Sequence, residues 1–93
     1  MDARVRVLIH GRVQGVGFRF TAAARAQGLG LTGWVGNLAD GSVEAVFEGS
    51  QETLEETLQW CHRGPRTAKV DRVDVAWESG PPEYKSFDLR VDG

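Results

Sequence analysis

A single cysteine, Cys61, among 93 residues rules out an internal disulfide and points to a reducing compartment, the cytoplasm. No apolar run approaches the ~20 residues that cross a bilayer, so no membrane partner is expected. The opening Met1-Asp2-Ala3-Arg4 leads into a short strand-like run, not the apolar core of a signal peptide. There is no H-E-x-x-H, no paired-cysteine motif and no Asp/Glu cluster of metal-site spacing, so neither metal nor cofactor is expected. A basic excess is missing too: 11 Lys and Arg stand against 13 Asp and Glu, for a net charge of −2. That balance argues against nucleic-acid binding, which normally requires a broad basic face. Repeats, long linkers and low-complexity segments are absent. With 41% hydrophobic content, residues 1–93 are expected to form one domain, a monomer. A chain this size buries roughly 60–68% of its unfolded surface, enough to fold without staples.

What the chain does contain is unevenly placed. Arg4, Arg6, Arg12, Arg19 and Arg25 face one acid, Asp2, through residue 37. Between Asp40 and Glu56 there are six acids and no bases. Glu52, Glu55 and Glu56 read as an ordinary solvated helix face. Arg12 and Arg19, beside a cluster of glycines, read instead as a mouth that attracts anions.

The cluster is Gly11-Arg12-Val13-Gln14-Gly15-Val16-Gly17-Phe18-Arg19, placed between the apolar run Val5 to Ile9 and the helix-prone Ala22-Ala23-Ala24-Arg25-Ala26. Glycine lets backbone N–H groups turn inward, and a helix opening directly afterwards adds unsatisfied amides. Such a nest at a helix N-terminus is a preformed phosphate site. The backbone amides of Gln14, Gly15, Val16, Gly17, Phe18 and Arg19 are its candidate donors, and the Arg19 fork can bind phosphate oxygens bidentately. The spacing is neither G-x-G-x-x-G nor a P-loop. Gln14 is expected to act through its backbone and Arg12 only to edge the rim.

Elsewhere the patterning is regular. Val5, Val7 and Ile9 mark a half-buried first strand, and a first helix runs from about Phe18 to Gln27, ending at Gly28. Leu31 to Asn37 forms the second strand. An Asp40-Gly41 turn follows, and Val43, Ala45 and Phe47 give the inward face of the third. Ser50 caps a second helix with Leu54, Leu58 and Cys61 on its buried side, ended by Gly64-Pro65. Val73, Val75 and Trp77 give strand four, and Phe87, Leu89 and Val91 a short last strand. The order β-α-β-β-α-β predicts an α+β, ferredoxin-like sandwich, two helices on one face of an antiparallel sheet. Strands one and two then run in the same direction. The glycine loop and Asn37 must therefore meet at one sheet edge.

Together, Gly11 to Arg19 and Gly33-Trp34-Val35-Gly36-Asn37-Leu38-Ala39-Asp40-Gly41-Ser42-Val43-Glu44 resemble the acylphosphatase family, whose hallmarks are G-x-V-Q-G-V-x-F-R and G-W-V-x-N-x-x-D-G-S-V-E. The resemblance spans essentially the whole chain. It implies a metal-independent hydrolase that splits small acyl phosphates into carboxylate and inorganic phosphate, with Arg19 matching the family's phosphate-binding arginine and Asn37 its catalytic asparagine. Asn37 would orient the attacking water while staying uncharged beside an anionic phosphoryl group. Inorganic phosphate or sulfate should compete for the same site. A carboxylate is a good leaving group, so binding the phosphoryl oxygens and aligning a water could suffice.

Other chemistry-bearing residues have simpler readings. Asp40 and Gly41 form a hairpin turn, Trp34 supports the core or hairpin, His10 is a strand-end surface residue, and His62 answers the helix dipole. The alternative function is a non-catalytic ferredoxin-like module that senses phosphate or binds RNA, which the fold alone would permit. A related reading, an acylphosphatase-like module of a larger maturation protein, is weakened by the lack of zinc-finger cysteines in this sequence.

Overall fold

The computed structural model describes residues 2–91. Its elements are β1 (Asp2–Arg12), α1 (Phe18–Gly28), β2 (Thr32–Asn37), β3 (Val43–Ser50), α2 (Gln51–Arg63), β4 (Lys69–Glu78) and β5 (Phe87–Leu89). The sheet order is β4-β1-β3-β2-β5. β3 is antiparallel to both β1 and β2, so β1 and β2 share a direction. Period-2 alternation explains the layering. Val5, Val7 and Ile9 lie opposite Phe47, Ala45 and Val43, and all six are buried in the core beneath the helices.

The fifth strand departs from a purely antiparallel sheet. β5 pairs parallel with β2, placing Phe87, Asp88 and Leu89 beside Gly33, Trp34 and Val35. Parallel pairing carries the chain after Leu89 to the edge where β1 and β2 also end. Val91 falls outside this strand and is 81% exposed. β4 is an edge strand, so Val75 and Trp77 stay partly exposed despite their alternation.

Both helix ends follow recognisable rules, with one correction. Ser50 caps α2, its hydroxyl accepting from the Thr53 amide at 3.2 Å, and Gly64 closes it. α1, however, includes Gly28; the left-handed residue that stops it is Gly30, with φ 74°. The Gly30 amide donates to Gln27 and the Leu31 amide to Ala26, a Schellman pair of bonds. Two glycines stand near this helix end, and burial of Leu31 against the core selects the later one as the stop.

The open face of the sheet is laced with charge. Arg6 bridges Glu44 and Glu78 at 2.9 and 3.0 Å. Buried Arg4 reaches Glu48, Glu78 and Glu83, and its guanidinium also donates to the Ser79 and Pro81 carbonyls. Glu48 in turn accepts from the Glu83 and Tyr84 amides. This network ties down the segment before β5 and so fixes the strand that leads to the site.

Candidate active site

Phe18 starts the site from below. It is 1% exposed and packs on Trp60 with ring centroids 5.2 Å apart, fixing the first turn of α1 against α2. Burial of such a ring contributes about 1.5–3 kcal/mol. The turn above it is left open to solvent: Gly17 occupies the N-cap at φ 81°, no side chain caps the helix, and its first turn holds no acid. The amides of that turn have no partner within the helix, and the helix dipole adds positive potential.

Gly15 has φ 73° and Gly17 φ 81°, with open space where a Cβ would stand. Conformation therefore demands glycine at both positions, since a left-handed non-glycine residue costs about 1–2 kcal/mol. The loop between strand and helix is held on three sides. Val13 is buried at 1% exposure. The Gln14 side-chain amide donates to the Leu38 and Ser42 carbonyls at 2.7 and 2.9 Å. The Thr67 hydroxyl donates to the Val16 carbonyl at 2.6 Å. A cradle braced in this way presents its donors without reorganisation when an anion arrives.

Asn37 ends β2 at the same sheet edge, paired across the hairpin with Val43. Its Oδ1 is buried and finds no hydrogen-bond partner among the described residues. A turn-forming asparagine would spend that oxygen on a nearby amide. Asp40 does the turn's work instead: its Oδ1 accepts from the Ser42 amide and hydroxyl at 2.9 and 2.6 Å. Those bonds hold the Asp40 carboxyl below the usual carboxylate range, so it stays ionised and is a poor proton acceptor.

Gly15, Gly17, Phe18, Arg19 and Asn37 line one cleft of about 250 Å³. That is near the lower end of ligand pockets, about 300–1,000 Å³, and suits a small molecule. The Arg19 guanidinium is oriented by a 2.6 Å bond from Nη1 to the Arg90 carbonyl just beyond β5. Two expected residues stand apart from the lining. Gln14 and Val16 belong to the loop but serve as its tethers, and the Gln14 side chain is the bracing group that an emphasis on backbone amides misses. Phe20 lines the cleft and was not singled out by the sequence.

Geometry this specific can be compared with other proteins. The acylphosphatase family model matches residues 5–89. An acylphosphatase of Trichormus variabilis is 52% identical over 87 residues, covering 94% of this chain and 85% of its own length. One from Roseiflexus is 48% identical, covering 94% of each. The chain belongs to the acylphosphatase family. The acylphosphatase crystal structure from Bacillus subtilis superposes with a TM-score of 0.91 at 32% identity, over 98% of this chain and 100% of that one. The ferredoxin-like α+β fold is thus shared with acylphosphatase structures.

Other polar groups lie outside the cleft lining. His10 pairs with Asp74 at 3.0 Å on the open face, and Arg12 is exposed at the end of β1, paired with Lys69. The His62 ring nitrogen lies 2.9 Å from the Leu58 carbonyl in the last turns of α2. Trp34 is 7% exposed, under the Arg90 guanidinium at 3.7 Å and with its indole N–H on the Tyr84 hydroxyl. Cys61 is fully buried, and burial pushes its thiol up to about 12, so almost no nucleophilic thiolate exists at neutral pH.

Proposed function

We propose that this acylphosphatase hydrolyses acyl phosphates by direct attack of water, with Arg19 and the amides from Gln14 to Arg19 holding the phosphoryl group and Asn37 holding the nucleophile. The observation that carries the reading is the cleft that Asn37, at the end of β2, lines together with the glycine nest and Arg19. A water held by the Asn37 side-chain amide has a lone pair directed at phosphorus. The water oxygen bonds to phosphorus as the P–O bond to the acyl group breaks, and the electron pair leaves on the carboxylate. The water's proton passes to a phosphoryl oxygen of the substrate, giving carboxylate and dihydrogen phosphate. Arg19 and the amides offset charge on the equatorial oxygens as it redistributes.

The partners follow from the same chemistry: a small acyl phosphate as substrate, with inorganic phosphate or sulfate as competing ligand. A monomer of one domain, without nucleic-acid or membrane partners, completes the reading. The sheet face on which RNA-binding modules of similar layout stack bases carries the Arg6 ion pairs and a covered Trp34. Charged Lys69, Asp71, Arg72 and Asp74 blunt the β4 edge against pairing with another copy. A buried free Cys61 suits the cytoplasm.

Purified protein should release phosphate from acetyl phosphate or benzoyl phosphate, at the same rate with and without EDTA. No turnover above background from well-folded protein would defeat the reading, and a loss in EDTA would introduce a metal. Titration with inorganic phosphate, followed by NMR, should shift the amides between Gln14 and Phe20 most and weaken with added salt. Shifts confined to Arg63, Arg66 and Lys69 would place the anion elsewhere.

A further inference from the structure

We propose that Phe20 is the platform for the acyl group and biases this enzyme toward acyl phosphates with an aromatic or apolar acyl part. The inference rests on the phosphoryl site as assigned above. An exposed apolar side chain is ordinary on a protein surface, but Phe20, at 66% exposure, lines the substrate cleft itself. The polar side chains of that lining are Arg19 and Asn37, both engaged by phosphoryl group and water in the proposed mechanism. Val13 and Phe18 also line it, but each is 1% exposed and turned into the core. Phe20 is therefore the apolar residue of the lining whose side chain is exposed. Helix geometry explains its position: two residues past Phe18 is about 200° around α1, so anchoring Phe18 inward turns Phe20 outward.

With the phosphoryl oxygens seated in the nest, the acyl substituent has to leave the cradle toward its mouth. The exposed Phe20 ring beside that mouth would offer stacking and apolar contact, and no hydrogen bond to a polar acyl group. A second apolar group lies close in the chain to the site. Val91, 81% exposed, follows Arg90, whose carbonyl Arg19 binds.

The test compares wild type, Phe20→Ala and Phe20→Tyr on benzoyl phosphate and acetyl phosphate, and measures binding of the stable analogues benzoylphosphonate and acetylphosphonate by calorimetry. Phe20→Ala should lower the benzoyl-to-acetyl ratio of kcat/KM by about 2- to 10-fold, the range of one aromatic contact. The ratio of phosphonate affinities should fall likewise, and Phe20→Tyr should keep both ratios. Ratios unchanged in Phe20→Ala, or equal losses on both substrates, would overturn the platform. Because the side chain is exposed, melting temperatures should match, and a misfolded Ala variant leaves the wild-type and Tyr phosphonate ratios as the deciding measurement: a wild type with no aromatic preference refutes the proposal. If wild type hydrolyses neither substrate yet prefers benzoylphosphonate through Phe20, the platform stands and the hydrolytic reading falls.

Discussion

Asn37→Ala will lower kcat by about 10²–10³-fold or more, roughly 2.7–4 kcal/mol, the cost of losing one preorganised polar group in a transition state. Affinity for inorganic phosphate will stay near wild type, because the nest and Arg19 remain. Stability will also change little. The Asn37 Oδ1 makes no hydrogen bond among the described residues, so deleting it breaks none there, and removal of a buried unsatisfied acceptor is close to neutral. A turn-forming asparagine makes the opposite prediction, a loss of ~1 kcal/mol with near-normal activity per folded molecule. Thermal melting, phosphate affinity and turnover on one preparation separate the two. A stable variant with wild-type kcat would remove Asn37 from water positioning, and joint loss of phosphate affinity would move it into the phosphate-binding shell.

The contrast between Asn37 and Asp40 shows how far the sequence could be read. Both are turn-type residues beside a glycine, and the turn was legible from Asp40-Gly41 because a φ of 96° at Gly41 has few other solutions. That Asn37 Oδ1 makes no hydrogen bond among the described residues is a fact of three dimensions. The glycine nest was legible for the same reason as the turn: Gly15 and Gly17 announce left-handed backbone before a helix. Topology then brought nest and asparagine together, since a helical crossover sets β1 and β2 in one direction.

Contacts between distant segments were not legible. Gln14 spans 24 and 28 residues to reach the Leu38 and Ser42 carbonyls, and nothing in local pattern marks a glutamine as a brace. The parallel docking of β5 is decided by pairing with β2 and by Phe87 stacking near Phe47, at 5.4 Å between ring centroids. In a three-residue strand, alternation alone cannot choose direction. Edge position, likewise, is a property of the sheet and not of β4, so the alternation of Val73, Val75 and Trp77 marks the strand but not their burial: Val73 is half-buried, and Val75 and Trp77 are exposed.

Arg19 depends on one of these illegible contacts, and its replacement should have the largest effect on substrate binding. Arg19→Gln should raise KM, weaken phosphate inhibition and depress kcat together, lowering kcat/KM by at least about 10²-fold, because its charge meets ground and transition states alike. Arg19→Lys should rescue little. The Arg90 carbonyl accepts one guanidinium N–H at 2.6 Å and so fixes the plane of the fork across the cleft. A lysine ammonium offers a point charge on a flexible stem, with no planar fork to hold that bond and two phosphate oxygens in fixed geometry. Kinetics on acetyl phosphate with phosphate as competitor read all three quantities at once. Full activity in Arg19→Lys would show that charge alone suffices and that the Arg90 contact has no catalytic consequence. Full activity in Arg19→Gln would leave the phosphoryl group to the backbone amides of the nest and take this side chain out of the site.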